Sequence, residues 1–152
     1  MRTARSVVLA GIITALTTFA LSAQMGSPNT TPGAVVRVIH IRIKPGHNDA
    51  FWQDFRQNLK PIYDAEKAQG IITDYIVSTK ATTEGPDDWN VGLQLIYPNY
   101  AALDNLASRT DPITLAHYGS TEKRSAANTA RAEHATTIQS FLTRRQTVNP
   151  WK

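Results

Sequence analysis

The chain contains no cysteine. Disulfides, cysteine-ligated zinc, iron–sulfur clusters, thiol nucleophiles and cysteine lipidation are therefore all excluded. A small domain of this composition must be held by its apolar core. The eight glycines are dispersed, and none forms a phosphate-cradling loop. There is no G-x-S-x-G elbow. The four histidines show neither H-x-H nor H-E-x-x-H spacing, so no metal site is expected unless the fold assembles one. Phosphate, nucleotide and ordinary serine-hydrolase chemistry are disfavoured together, and no cofactor is implied. Only one long apolar run exists, residues 7–21, softened by Thr14, Thr17 and Thr18. Its 15 residues are short of the about 20 that a spanning helix needs.

That run is flanked by Arg2 and Arg5 on one side and by Ala20, Ser22 and Ala23 on the other. A basic start, an apolar middle and a small-residue end predict a secretory signal peptide over residues 1–23. An uncleaved anchor is the alternative. Export to the periplasm or the medium is the expected location, with no stable membrane span after cleavage. Removal of residues 1–23 leaves 14 basic residues against 12 acidic ones. Apart from Lys123-Arg124 and Arg144-Arg145 the basic residues are scattered, which argues against nucleic acid as a partner.

Residues 24–33 (QMGSPNTTPG) read as a flexible linker, residues 34–148 as one domain and residues 149–152 as a tail ending in Trp151-Lys152. Residues 35–43 (VVRVIHIRI) are β-branched and alternate, so a strand is predicted and Pro45-Gly46 ends it. Residues 47–69 carry Phe51, Phe55, Leu59 and Ile62 at helical spacing, with a kink or break predicted at Pro61 and Pro61 opening a second short segment. Residues 71–80 and 89–97 read as a hairpin, with Trp89, Val91, Leu93, Leu95 and Tyr97 on one face. Asn99 is expected to cap a helix to about residue 107. Asp111-Pro112 is expected to start a second short helix to Tyr118, and Ser120 to cap a third to about His134. Residues 136–148 fit a last strand.

Strand, helix, two strands, helices, strand is a split βαβ, ferredoxin-like α+β order: an antiparallel sheet with helices on one face. The segment VVRVIHIRIKPGHNDAFWQDF is a strand with a charge and a histidine, then Lys-Pro-Gly, then an aromatic-rich helix. It resembles the dimeric α/β-barrel superfamily, which includes the antibiotic-biosynthesis-monooxygenase-like domains. The resemblance implies a homodimer of two face-to-face sheets around a small-ligand cavity. It spans about residues 35–148 and is one of pattern, and the long helical stretch 111–134 departs from the plainest members.

His40 shares a strand face with Arg42, opposite Ile39, Ile41 and Ile43. It is the candidate acid, base or ligand-orienting group, or else a hydrogen-bonded interface histidine. Arg42 could hold an anion, or pair with Asp74. Asp74, Asn90 and Gln94 put further polar groups on sheet faces and complete the candidate ligand-binding set. His117 at a helix end reads as a dipole partner, and His134 as solvated.

Three functional classes follow. The first is a non-catalytic exported homodimer with a small-molecule cavity. The second, which the resemblance implies, is a cofactor-independent oxygenase or isomerase using His40, with haem binding as a variant. The third is an interaction module using Trp151 and the alanine-rich helix.

Overall fold

The computed structural model describes residues 29–82, 84–85 and 88–151. The expected signal peptide and residues 24–28 of the expected linker lie outside them.

Ten elements follow in order: β1 (Thr30–Ile43), α1 (Asn48–Asp54), a π-helical turn (Phe55–Leu59), α2 (Lys60–Ala68), β2 (Asp74–Thr79), β3 (Val91–Tyr97), a 3-10 turn (Tyr100–Leu103), α3 (Leu106–Tyr118), α4 (Thr121–His134) and β4 (Ala135–Val148). The sheet order is β2-β3-β1-β4, antiparallel at every pairing. This is the ferredoxin-like α+β order expected from the sequence. β1 starts earlier than expected. Thr30, Thr31 and Pro32 pair with Val148, Thr147 and Gln146, so the end of the supposed linker is strand.

Odd-numbered residues of β1 face the helices. Val35 joins Ile72, Leu93, Leu95 and Tyr97 in one core cluster. Ile41, Ile43 and Val91 join Phe51 and Phe55 of the first helical arm in a second. Ile62, Ile71 and Ile113 tie α2 to α3. Ile71 and Ile72 are buried core residues ahead of β2, which begins at Asp74 rather than at residue 71.

One proline stands as expected and the other does not. Pro61 lies in the first turn of a separate segment, α2. Its ring would collide with the carbonyl four residues back in a regular helix. The turn ahead of it widens, with the Lys60 N–H donating to the Phe55 carbonyl, and α1 and α2 lie on either side of this irregularity. Pro112, by contrast, does not start a helix. It lies inside α3, which runs unbroken from Leu106. The position is exposed, so water can satisfy the carbonyl that its missing N–H leaves. The caps stand where expected: Asn99 accepts from the Ala102 N–H, although its helix is only a short 3-10 turn, and Ser120 accepts from the Lys123 N–H.

Glu66 is 6% exposed, within the core side of α2. Burial pushes its carboxyl above the ordinary value, and the Arg37 charge only partly opposes this. The native state therefore holds the Glu66 proton more tightly than the unfolded chain. Stability contributed here is complete below about pH 4.3 and is lost as pH rises through the raised native value. Glu66→Gln should accordingly melt higher than wild type at pH 7 and match it near pH 4, in paired thermal melts followed by circular dichroism. A lower melting temperature at pH 7 would contradict this reading.

Candidate functional site on the open sheet face

Strand register sorts the face turned away from the helices into three rows. Asp74, Ile96, Val36 and Thr143 form the first. Ile76, Gln94, Val38 and Phe141 form the second. Ser78, Gly92, His40 and Gln139 form the third. Val36 and Ile96 are buried, whereas Ile76 and Phe141 are 40% and 41% exposed. The helical side chains of the two main core clusters all meet the other face.

The third row is the most organised part of this face. Trp89 stacks flat on His40, with ring centroids 4.1 Å apart and planes 11° from parallel. Phe141 meets the same imidazole edge-on at 5.8 Å. Gln139 Nε2 lies 2.6 Å from His40 Nδ1. The indole is itself anchored. Lys80 Nζ sits 5.2 Å from its ring centroid, and the backbone N–H of Trp89 donates to Asp88 Oδ1, fixing the residue that carries the ring. Lys80 also pairs with Asp88, holding that carboxyl below its ordinary value.

Gly92 makes this possible. A Cβ there would lie 3.4 Å from Trp89 Cζ3 and 2.9 Å from Ser78 Oγ. Glycine inside a strand marks such a close approach. Gly92→Val should therefore displace the indole from His40 and destabilise the fold by about 1–3 kcal/mol. The measurement is the near-ultraviolet circular dichroism of the tryptophans alongside a denaturant titration. An unchanged aromatic signal would contradict the wedge role.

Placement of Trp89 departs from the expectation. It was assigned to the core face with Val91, but β3 begins only at Val91. At Asn90 the chain is tied to β1: its N–H donates to the Ile41 carbonyl, and its Oδ1 accepts from the Ile43 N–H. The alternation stops there and Trp89 falls on the opposite face.

The expected ligand set does not converge. His40 and Gln94 occupy adjacent rows. Asn90 spends its side-chain oxygen on the backbone. Asp74 lies in the row of Val36, six positions along β1 from Arg42, or roughly 20 Å at strand rise. Asp74 pairs instead with Lys67 of α2, at 2.7 Å, and Lys67 holds its carboxyl below the ordinary value. The site residues that sequence reasoning missed are Trp89, Gln139, Phe141, Ser78 and Gly92.

The other three histidines have partners as well. His134 is not simply solvated: its Nδ1 lies 3.1 Å from His47 Nδ1, joining the end of α4 to the start of α1. His117 Nε2 contacts Asn58 Oδ1 at 3.1 Å. Among the described residues no group of three or more metal-ligating side chains is found, and no helix is long and apolar enough to cross a membrane. Two concavities among the described residues of one copy lie away from His40. One is a wide groove of about 620 Å³ along α4, lined by small and acidic residues. The other is an apolar cleft of about 370 Å³ between α2 and α3.

No protein-family model matches the chain, and no curated protein matches it. Solved structures do. A dimeric ferredoxin-like protein from an uncultured marine organism is 11% identical over 80% of this chain and 100% of its own, with a TM-score of 0.46. A dimeric protein of unknown function and ferredoxin-like fold from Bacteroides fragilis is 13% identical over 76% and 96%, at 0.40. An ethyl tert-butyl ether d (ethd) family protein from Bacillus halodurans is 14% identical over 72% and 96%, at 0.42. The fold assignment rests on this chain's own strand order.

Proposed function

We propose that this is an exported homodimer whose two open sheet faces enclose a small-molecule site around His40. The observation that carries the reading is the His40–Trp89–Gln139 assembly, built on the sheet face that the helices leave uncovered. One sheet face is a wall and not a pocket. Two sheets stacked about 10 Å apart make one, with room for a ligand between polar third rows.

A second copy is the occupant that the chemistry of this face supports. Ile76 and Phe141 in the middle row offer apolar surface to a like surface. The first row runs from Asp74 on β2 to Thr143 on β4, one inward-facing position from Arg145. A twofold axis parallel to the strands would lay the β2 edge of one sheet over the β4 edge of the other. Asp74 would then approach a basic edge.

Light scattering should give a dimer mass at micromolar concentration; a strict monomer would overturn the barrel. A thermal-shift screen of small organic acids and ketones should find a stabilising ligand whose effect His40→Ala abolishes while the dimer persists. Export is tested by the intact mass of the protein recovered from its natural compartment, which should lack about the first 23 residues.

Catalysis by His40 is a second reading. It is favoured by the way Trp89, Phe141 and Gln139 hold the ring, since acid–base chemistry needs a positioned group. Turnover of a screened ligand that survived His40→Ala would remove it.

A further inference from the structure

We infer that Gln139 sets the tautomer of His40, so that the ring presents an Nε2–H donor to the cavity, and that the ligand bears an accepting oxygen, a carbonyl or a carboxylate. The ligand half rests on the enclosed-cavity reading above; the tautomer half does not.

Gln139 lies directly opposite His40 across the β1–β4 pairing. The register shifts immediately beyond, where His40 faces Gln139 but Ile41 faces Thr137, so Ile138 is the extra residue of a bulge. Bulges of this kind re-aim a neighbouring side chain. Here the amide nitrogen of Gln139 is 2.6 Å from His40 Nδ1. With the Gln139 amide in this orientation its N–H donates and Nδ1 offers its lone pair, and a neutral imidazole then carries its proton on Nε2. The flat stack of Trp89 and the edge of Phe141 stop the ring from turning over. Nε2 has no hydrogen-bond partner among the described residues.

The surroundings select what that N–H can meet. The Ser78 hydroxyl is directed at the Gly92 carbonyl, 3.3 Å away, so its proton is committed. Gln94 in the next row can supply a second amide donor. Val38, Ile76 and Phe141 are apolar. The arrangement fits a ligand with an apolar body and an acceptor oxygen. It also assigns neutral His40 the part of a hydrogen-bond donor, because an Nε2–H has no lone pair with which to act as a base.

The test is nitrogen-15 NMR of the histidine side chains in the full protein, at a pH where the ring is neutral. Wild type should show a protonated Nε2 and an unprotonated Nδ1 for His40. Gln139→Glu should invert this, since a carboxylate can only accept and draws the proton to Nδ1. Gln139→Asn, with a shorter reach to the same ring, should leave a mixture. A wild-type proton on Nδ1, or an unchanged tautomer in Gln139→Glu, overturns the assignment. Benzoate as a carboxylate probe should shift the Nε2–H resonance saturably and bind Gln139→Glu at least about tenfold more weakly. No saturable shift, or equal binding by both proteins, overturns the ligand half. Light scattering on the same samples separates the readings. A monomer with Nε2–H defeats only the enclosed cavity, and a dimer with Nδ1–H defeats only this inference.

Discussion

Phe141→Asp should turn the proposed dimer into a folded monomer. Phe141 projects from the middle row of the open face beside Ile76, and the two are 41% and 40% exposed in one copy. Sheet-on-sheet association would bury both. An aspartate there would have to be desolvated with no cation in its row, a cost of several kcal/mol. A hundredfold or larger rise in the dimer dissociation constant, about 2.7 kcal/mol, is the expected result from light scattering across a dilution series. The monomer should still melt cooperatively, because Phe141 lies outside the three core clusters. Leu142 is the internal control. It is the next residue of β4 and just as exposed, at 43%, but register places it opposite Arg37 on the helix side. Leu142→Asp should leave the dimer intact. If Leu142→Asp dissociates the protein and Phe141→Asp does not, the copies meet through the other face.

Much of the fold was legible because strand alternation and helix caps act locally. β1 and β3 show their two faces in the spacing of β-branched and aromatic residues, and the Asn99 and Ser120 side chains bond the amides that capping chemistry requires. Pro61 stands in the first turn of α2, where its missing N–H is tolerated, after a widened turn. Pro112 departs from the expectation because a breaker rule weighs one residue without its surroundings: an exposed helix face accommodates it, and that leaves no signature in the local sequence.

The site was half legible for a related reason. His40 and its face follow from alternation within a single strand. Its partners come from across the sheet, and their parity depends on where each strand begins or bulges. Trp89 was assigned by extending the β3 alternation past Val91, across the point where Asn90 hydrogen-bonds to β1. Gly92 was the available clue, since a glycine inside a strand signals that something lies over it. Gln139 was hidden by the bulge at Ile138, which breaks the alternation of β4. Asp74 and Arg42 do not meet because alternation reports only the face of a residue, and the two stand roughly 20 Å apart along the strands.

Asp54→Ala should destabilise the protein more than any other single polar substitution in the helical layer, by about 2–4 kcal/mol. The carboxylate sits at the end of α1, where it accepts from Arg131 Nε at 2.6 Å, from Arg131 Nη2 at 3.4 Å and from Asn58 Nδ2 at 2.7 Å. Arg131 also donates to the Tyr118 hydroxyl and to Asn128 Oδ1. One ion pair thus ties α1, α3 and α4 together. Burial opposes the Arg131 charge, and its bonds to Asp54 and Tyr118 outweigh that opposition. With Asp54 gone, the guanidinium stays only 21% exposed and lacks its counter-charge. For a domain of this size the expected fall in melting temperature is about 8–15 °C. The pair itself contributes less than its rupture costs, since desolvating both ions offsets most of their attraction. Asp54→Leu combined with Arg131→Met should therefore recover most of the loss, and a double variant as unstable as Asp54→Ala would show that the attraction itself holds the helices. Because α4 leads directly into β4, the clamp also anchors the strand that carries Gln139 and Phe141. The Asp54→Ala protein should accordingly lose its dimer at the temperature at which it unfolds, and a dimer that dissociates well below that temperature would show that β4 loosens before the core.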